Sequence, residues 1–184
     1  MDRLVSMRLL LLLLLLLGGL LQAQLPLTPE VQVLLDSLDL RVNHPFHADF
    51  KLLKNPDNDY LADQLTVRSK TEKLEIRLHL RPETEDDLYY QRPHLRVGLL
   101  VMNLASNDED AVTSVHSFGE EELAVLNADW ARMYTFRPKT SYSPRATAQF
   151  IAIYKVGRGL AYNVLLFDDA PDTLEGRQLL LRFR

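Results

Sequence analysis

The sequence predicts an α+β fold: one mainly antiparallel sheet of five to six strands, packed by three to four helices. Three observations carry this reading. Residues 74–81 (LEIRLHLR) alternate strictly, with Leu74, Ile76, Leu78 and Leu80 on one side of an extended chain and Glu75, Arg77, His79 and Arg81 on the other. Residues 150–167 hold two β-rich runs, FIAIYK and LAYNVLLF, joined by VGRG, where Gly157 and Gly159 supply the positive φ angles of a tight hairpin turn. The order of elements is helix, hairpin, helix, helix, strand, hairpin and short terminal element. It lacks the regular strand–helix alternation that builds parallel sheets.

Each element has a local cause. Thr28-Pro29-Glu30 is a helix start, because threonine caps and proline suits a first-turn position whose N–H would be unpaired anyway. Val31, Leu34, Leu35 and Leu38 then mark one helical face. Residues 43–63 read as loop, with Pro45, Pro56 and the run NPDND. Residues 64–81 read as a hairpin turning at SKTE, its second strand holding one face on a core and the other in water. Pro93 opens a helix over residues 94–106, despite Gly98. Ser117 and Glu120 fit a capping box for a short helix reaching about residue 128, with Leu123 and Leu126 inward. Tyr134 and Phe136 begin a strand that Pro138 stops. Residues 174–184 start helical and end extended.

The first 23 residues read as a secretory signal. Arg3 and Arg8 precede the leucine run of residues 9–17, and Ala23 offers a small residue at the cut. The apolar stretch, about 13 residues, is shorter than the roughly 20 a membrane-spanning helix needs. The segment is a membrane anchor only if it stays uncleaved. Residues 24–184 then form one globular domain, exported to a periplasm or secreted. Losing residues 1–23 removes Arg3, Arg8 and Asp2, and so takes the chain from a net charge of −4 to −5. That acidity, with no basic patch carrying interleaved aromatics, argues against nucleic acid as a partner. There are no cysteines. This excludes a cysteine nucleophile, a thiolate metal site and disulfide staples, so the fold rests on packing.

Candidate sites are few. His44 and His47 form H-x-x-H with Asp49 nearby, a donor set that suits zinc. Glu85-Asp86-Asp87, Asn107-Asp108-Glu109-Asp110 and Asp168-Asp169 offer carboxylates, without the spacing of a calcium-binding loop. Nucleophile elbows, phosphate loops and dinucleotide fingerprints are absent from the sequence. Tyr89, Tyr90, Tyr142 and Arg145 lie in predicted connections and have the chemistry of interface anchors. In NADWARMYTFRPK (127–139), Asn127 can close a helix in the left-handed conformation, Asp129 can bond local backbone, and Trp130 can bury its ring under the helix–strand junction.

At LASNDED (104–110), EEELAVLNADWARMYTFRPK (120–139) and YKVGRGLAYNVLLFDD (154–169) the chain resembles small exported proteins of unknown function found in Bacteroidota. Its element order also resembles the PsbP-like α/β/α sandwich. That resemblance implies an accessory protein bound to a larger assembly and assigns no residue a role. The expectation is therefore an exported, non-enzymatic accessory or binding protein, without a cofactor, for an unknown protein or small ligand. The alternative is a hydrolase or metal-dependent enzyme built on the loop histidines and an acidic cluster. A binder of small ligands or lipids requires a cavity, which a sequence does not display.

Overall fold

A computed structural model describes residues 25–44, 46, 49–84 and 92–184. Helix α1 (Pro29–Ser37) starts as its residues dictate: the Thr28 hydroxyl oxygen accepts the Val31 N–H at 3.4 Å, and Pro29 takes the first turn. The chain continues through β1 (Leu40–Val42), β2 (Phe50–Leu53), β3 (Leu65–Ser69) and β4 (Leu74–Pro82). Then come α2 (Pro93–Leu104), β5 (Ser114–Ser117), α3 (Glu120–Leu126) and β6 (Trp130–Phe136). It closes with β7 (Thr147–Lys155), β8 (Gly159–Phe167), α4 (Leu174–Gln178) and β9 (Leu181–Phe183).

Seven strands form one sheet in the order β2-β3-β4-β8-β7-β6-β5, with every neighbouring pair antiparallel. β1 and β9 make a separate antiparallel ribbon, with Leu40 opposite Phe183. The α+β class is as expected, but there are more strands than the five to six read from the pattern. The additional ones are β1, β2 and β5, three or four residues each. β2 lies inside the stretch read as loop. So short a run carries almost no period-two signal, and pairing with a longer neighbour is what makes it a strand.

The central hairpin has the turn expected of it. Gly157 has φ 72° and Gly159 φ 127°. Gly159 is further constrained by its neighbour, since it lies opposite Pro82 and a Cβ there would come within 2.3 Å of the Arg81 carbonyl oxygen. The close approach of β4 therefore demands glycine, not the turn alone.

Both faces of the sheet are covered. On the first face, α1, α3 and the β1–β9 ribbon bury Leu74, Ile76, Leu78 and Leu80 together with Ile151, Ile153 and Leu165. On the second face, α2 contributes Val97, Val101 and Leu104 to a cluster with Phe150, Tyr162 and Leu166. All nine residues of β8 are consequently buried. This corrects the expectation for β4. Its polar side is not in water: Glu75 and Arg77 are only 3% and 4% exposed. Alternation reports that two faces differ in polarity, and not that one of them is wet.

Three smaller expectations also change. The capping box falls two residues later than read: Ser117 ends β5, and the Gly119 N–H donates to the Glu122 carboxylate at 2.7 Å. Asn127 does close α3 in the left-handed conformation, at φ 49°. Its side-chain amide donates to the Arg184 carbonyl oxygen at 2.7 Å, and Lys155 donates to its backbone oxygen at 2.9 Å. Asp129, expected to bond local backbone, instead accepts the Val156 N–H at 2.8 Å and so ties the start of β6 to the central hairpin. Trp130 is half-buried, and it packs on the second-face cluster, away from α3. The Arg132 guanidinium lies 5.6 Å from its ring centre, on the same side of β6. Among the described residues, no helix is long and apolar enough to cross a membrane.

Candidate functional site

The second face carries two polar features that share strand β4 and the loop before β3. That loop is shaped by Asn58, whose side-chain oxygen accepts the N–H groups of Tyr60 and Leu61, both at 2.9 Å. An asparagine holding its own downstream backbone is a standard way to fix a sharp turn. It presents Tyr60 and Leu61 toward α2 and sends Asp63 under the loop.

The first feature is a buried cluster. Arg77 Nε donates to Glu75 at 2.9 Å, and a terminal nitrogen donates to the Tyr142 carbonyl oxygen at 3.2 Å. The guanidinium also stands 4.9 Å over the Tyr142 ring. Arg68 Nε donates to the second Glu75 oxygen at 3.0 Å. Burial would raise the Glu75 carboxyl, but the hydrogen bonds from Arg68 and Arg77 outweigh it and hold it below its ordinary value. Asp63, 8% exposed, has no such compensation: neither carboxylate oxygen has a hydrogen-bond partner among the described residues. Burial pushes its carboxyl up to about 7, with Arg77 opposing and Glu75 adding to the rise. The Tyr142 hydroxyl is likewise buried without a partner among the described residues, and burial followed by the Asp63 charge raises it.

The second feature is a groove of about 1150 Å³ between α2, the loop and the sheet. Its floor is His79, Arg81 and Tyr162, and Leu61 forms one wall. The other wall is one stripe of α2: Arg92, Leu95, Arg96, Leu99, Leu100 and Asn103 fall at helical spacing and all line the space. Leu99 is 65% exposed, so the wall opens to solvent.

His79 is held firmly. Its ring stacks on Tyr162 with centres 5.3 Å apart, and Nδ1 lies 2.6 Å from the Ala62 carbonyl oxygen. A carbonyl can only accept, so Nδ1 carries the proton and the neutral ring keeps Nε2 as an acceptor. Burial lowers the His79 pKa, and the Arg81 and Arg96 charges lower it further. At neutral pH the positive charge of the groove therefore comes from its arginines. Burial raises the Tyr162 phenol against the pull of Arg96 and Arg81. Ala62 anchors His79, and the next residue is buried Asp63. The loop is thus the partition between cluster and groove.

The residues singled out from sequence are scattered. Tyr89, Tyr90 and His47 lie outside the described residues, as does the Glu85-Asp86-Asp87 cluster. Tyr142, expected in an exposed connection, is a core residue, its ring 6.1 Å edge-on from Tyr60. Arg145 pairs with Asp168 at 2.7 Å on the surface. The Ala146 N–H and then Arg145 hold that carboxyl below its ordinary range. The His44 carbonyl oxygen accepts from Arg177 at 3.0 Å, and the Asp49 carboxylate accepts the Ser69 hydroxyl. Asp108 and Asp110 are engaged by Arg137. Among the described residues no three histidine or acidic side chains gather as a metal would require.

His79, Arg81, Arg96, Tyr162 and Asp63 were missed as site residues. The available signal was the second face of β4, where histidine and arginines alternate with leucines. Neither a scan against protein-family models nor a search of curated proteins finds a match to this chain, so the groove is interpreted from its own geometry.

Proposed function

We propose that this is an exported, non-enzymatic binding protein whose ligand site is the groove between α2 and the β4–β8 floor. The observation that carries this is the groove: a concave space of about 1150 Å³, the size class of small-molecule sites, with leucine walls and a few convergent polar groups. Export is supported by the charged, leucine-rich and small-residue order of residues 1–23. Accessory binding fits a site with a fixed histidine and, among the described residues, no serine, threonine or cysteine in its lining.

The test is saturable binding of a neutral apolar fluorophore, N-phenyl-1-naphthylamine, by residues 24–184. The expected result is a one-to-one titration that Leu99→Gln weakens while the circular dichroism spectrum is unchanged. Absence of saturable binding overturns the reading.

A second reading, an enzyme, has one specific observation behind it: Asp63, raised to about 7, is poised where a general acid or base works at neutral pH. Both of its oxygens are sealed from solvent, so a substrate reaches them only if the Tyr60 loop moves. Hydrolysis in a panel of ester, glycoside, peptide and phosphate substrates that is abolished in Asp63→Asn would establish it.

A further inference from the structure

We propose that the groove takes a single-chain amphiphilic anion, its charged head at the Arg81, Arg92 and Arg96 end and its apolar tail along Leu61, Leu99 and Leu100. This rests on the groove being the ligand site. Three observations lead there.

The first is the ordering of α2. Arg92 and Arg96 stand at its start and one turn on, while Leu99 and Leu100 follow toward its end. The groove-facing stripe therefore holds both its cations in the first half, around Leu95, and Leu99 and Leu100 in the second before Asn103 closes it, a gradient from cationic to mainly apolar. A flat protein partner or a neutral drug-like ligand has no need of such a gradient. A molecule with a charged end and a greasy end matches it directly.

The second is the sign of the charge. Three arginines line the groove, and no Asp or Glu lines it among the described residues. The whole chain is acidic. Arg81 and Arg96 engage other groups of the protein. Their charge is thus partly answered within the protein, and what remains adds to that of Arg92, with the low-dielectric walls concentrating it. Arg92 and Arg96 also occupy the end of α2 where the helix dipole is positive, and no acidic residue offsets it in the first turn. An incoming anion relieves that arrangement, and a cation worsens it.

The third is the fixed polar floor. Tyr162 is buried under His79, and the Arg96 side chain acts on its hydroxyl by charge and by hydrogen bonding, so the phenol and this guanidinium form one polar floor. His79 Nε2 is available as an acceptor once Nδ1 is committed to Ala62. A hydrogen phosphate head can donate its remaining proton there, whereas an ionised carboxylate, having no donor, is held by the arginines alone. The headgroup chemistry is an oxyanion, either carboxylate or phosphate.

The experiment is displacement of bound N-phenyl-1-naphthylamine by three twelve-carbon amphiphiles: dodecanoate, dodecyl phosphate and dodecyltrimethylammonium, each below its micelle concentration. One or both anions are expected to compete about ten-fold better than the cation, the scale of one good charge contact. The ratio between dodecanoate and dodecyl phosphate identifies the headgroup. The preference should shrink several-fold in Arg92→Gln and in high salt, while the neutral fluorophore is indifferent to salt. The salt arm needs no variant, so it stands even if a substitution perturbs folding. If the fluorophore binds but anion and cation compete equally, the amphiphile inference is overturned and the groove reading survives. If the fluorophore does not bind, both fall.

Discussion

The two faces of the sheet use the same strand for opposite purposes. On the first face β4 shows Leu74, Ile76, Leu78 and Leu80, sealed under α1 and the β1–β9 ribbon. The one buried cation there among the described residues, Arg177, is fully matched: two bonds to the Glu72 carboxylate at 2.6 and 3.0 Å, one to the His44 carbonyl oxygen, and a face of Phe50 at 4.8 Å. On the second face β4 shows Glu75, Arg77, His79 and Arg81. Glu75 and Arg77 compensate each other, His79 and Arg81 line an open groove, and the loop beside the row buries the orphaned carboxylate of Asp63. The first face is organised to be stable. The second tolerates a buried Asp63 and exposed leucines, costs that a purely structural face would avoid.

The largest effect should come from the first face. Ile76→Ala removes a wholly buried side chain and should cost about 4 kcal/mol, a fall of roughly 10 °C in melting temperature. Calorimetry checks it. A loss below a third of that would mean the two faces carry the fold equally. On the second face, Arg77→Met strands Glu75 with Arg68 alone and leaves the Tyr142 carbonyl unpaired. The expected loss is about 3 kcal/mol, the low end for breaking a buried pair, because Arg68 remains.

Asp63 separates the faces by pH. Its folded carboxyl sits near 7, above the ordinary value of 3.8, so the folded state holds the proton more tightly than the unfolded chain. Its stability is therefore greatest below about pH 4 and declines as pH rises through 7. Asp63→Asn should leave the melting temperature nearly unchanged below about pH 4 and raise it progressively more up to pH 8. Equal shifts at both pH values would show that Asp63 is not the titrating group. The smallest effect on stability belongs to Leu99→Gln, within about 0.5 kcal/mol, because the site is exposed and glutamine is a good helix former. Yet this is the substitution expected to weaken groove binding. A change in binding without a change in stability is the contrast that separates the two faces.

Much of the fold was legible from local pattern. The α1 cap, the Gly157–Gly159 turn, the α2 start at Pro93 and the left-handed Asn127 each rest on the conformational preference of one or two residues. The structure supplies them where that preference asks. The groove was not legible, for a physical reason. His79 and Arg81 look like solvent-facing residues of a half-buried strand until α2 is laid across that face. Asp63 looks like one acidic loop residue among several until the Tyr60 turn buries it. Tyr142 could be placed in a connection, but not in the core beside Arg77.

The sequence by itself determined the α+β class, the antiparallel hairpins and the exclusion of cysteine chemistry, because composition, period and turn preference are local properties of the chain. Only the tertiary structure decided which strands join at the sheet edges, which side of β4 meets water, and where the charges of α2 and β4 converge. These depend on pairing between residues far apart in sequence: β1 meets β9, and β4 lies beside β8 across the whole middle of the chain. No local preference encodes which distant partner a polar face will meet. That meeting turns an ordinary alternating strand into the floor of a groove.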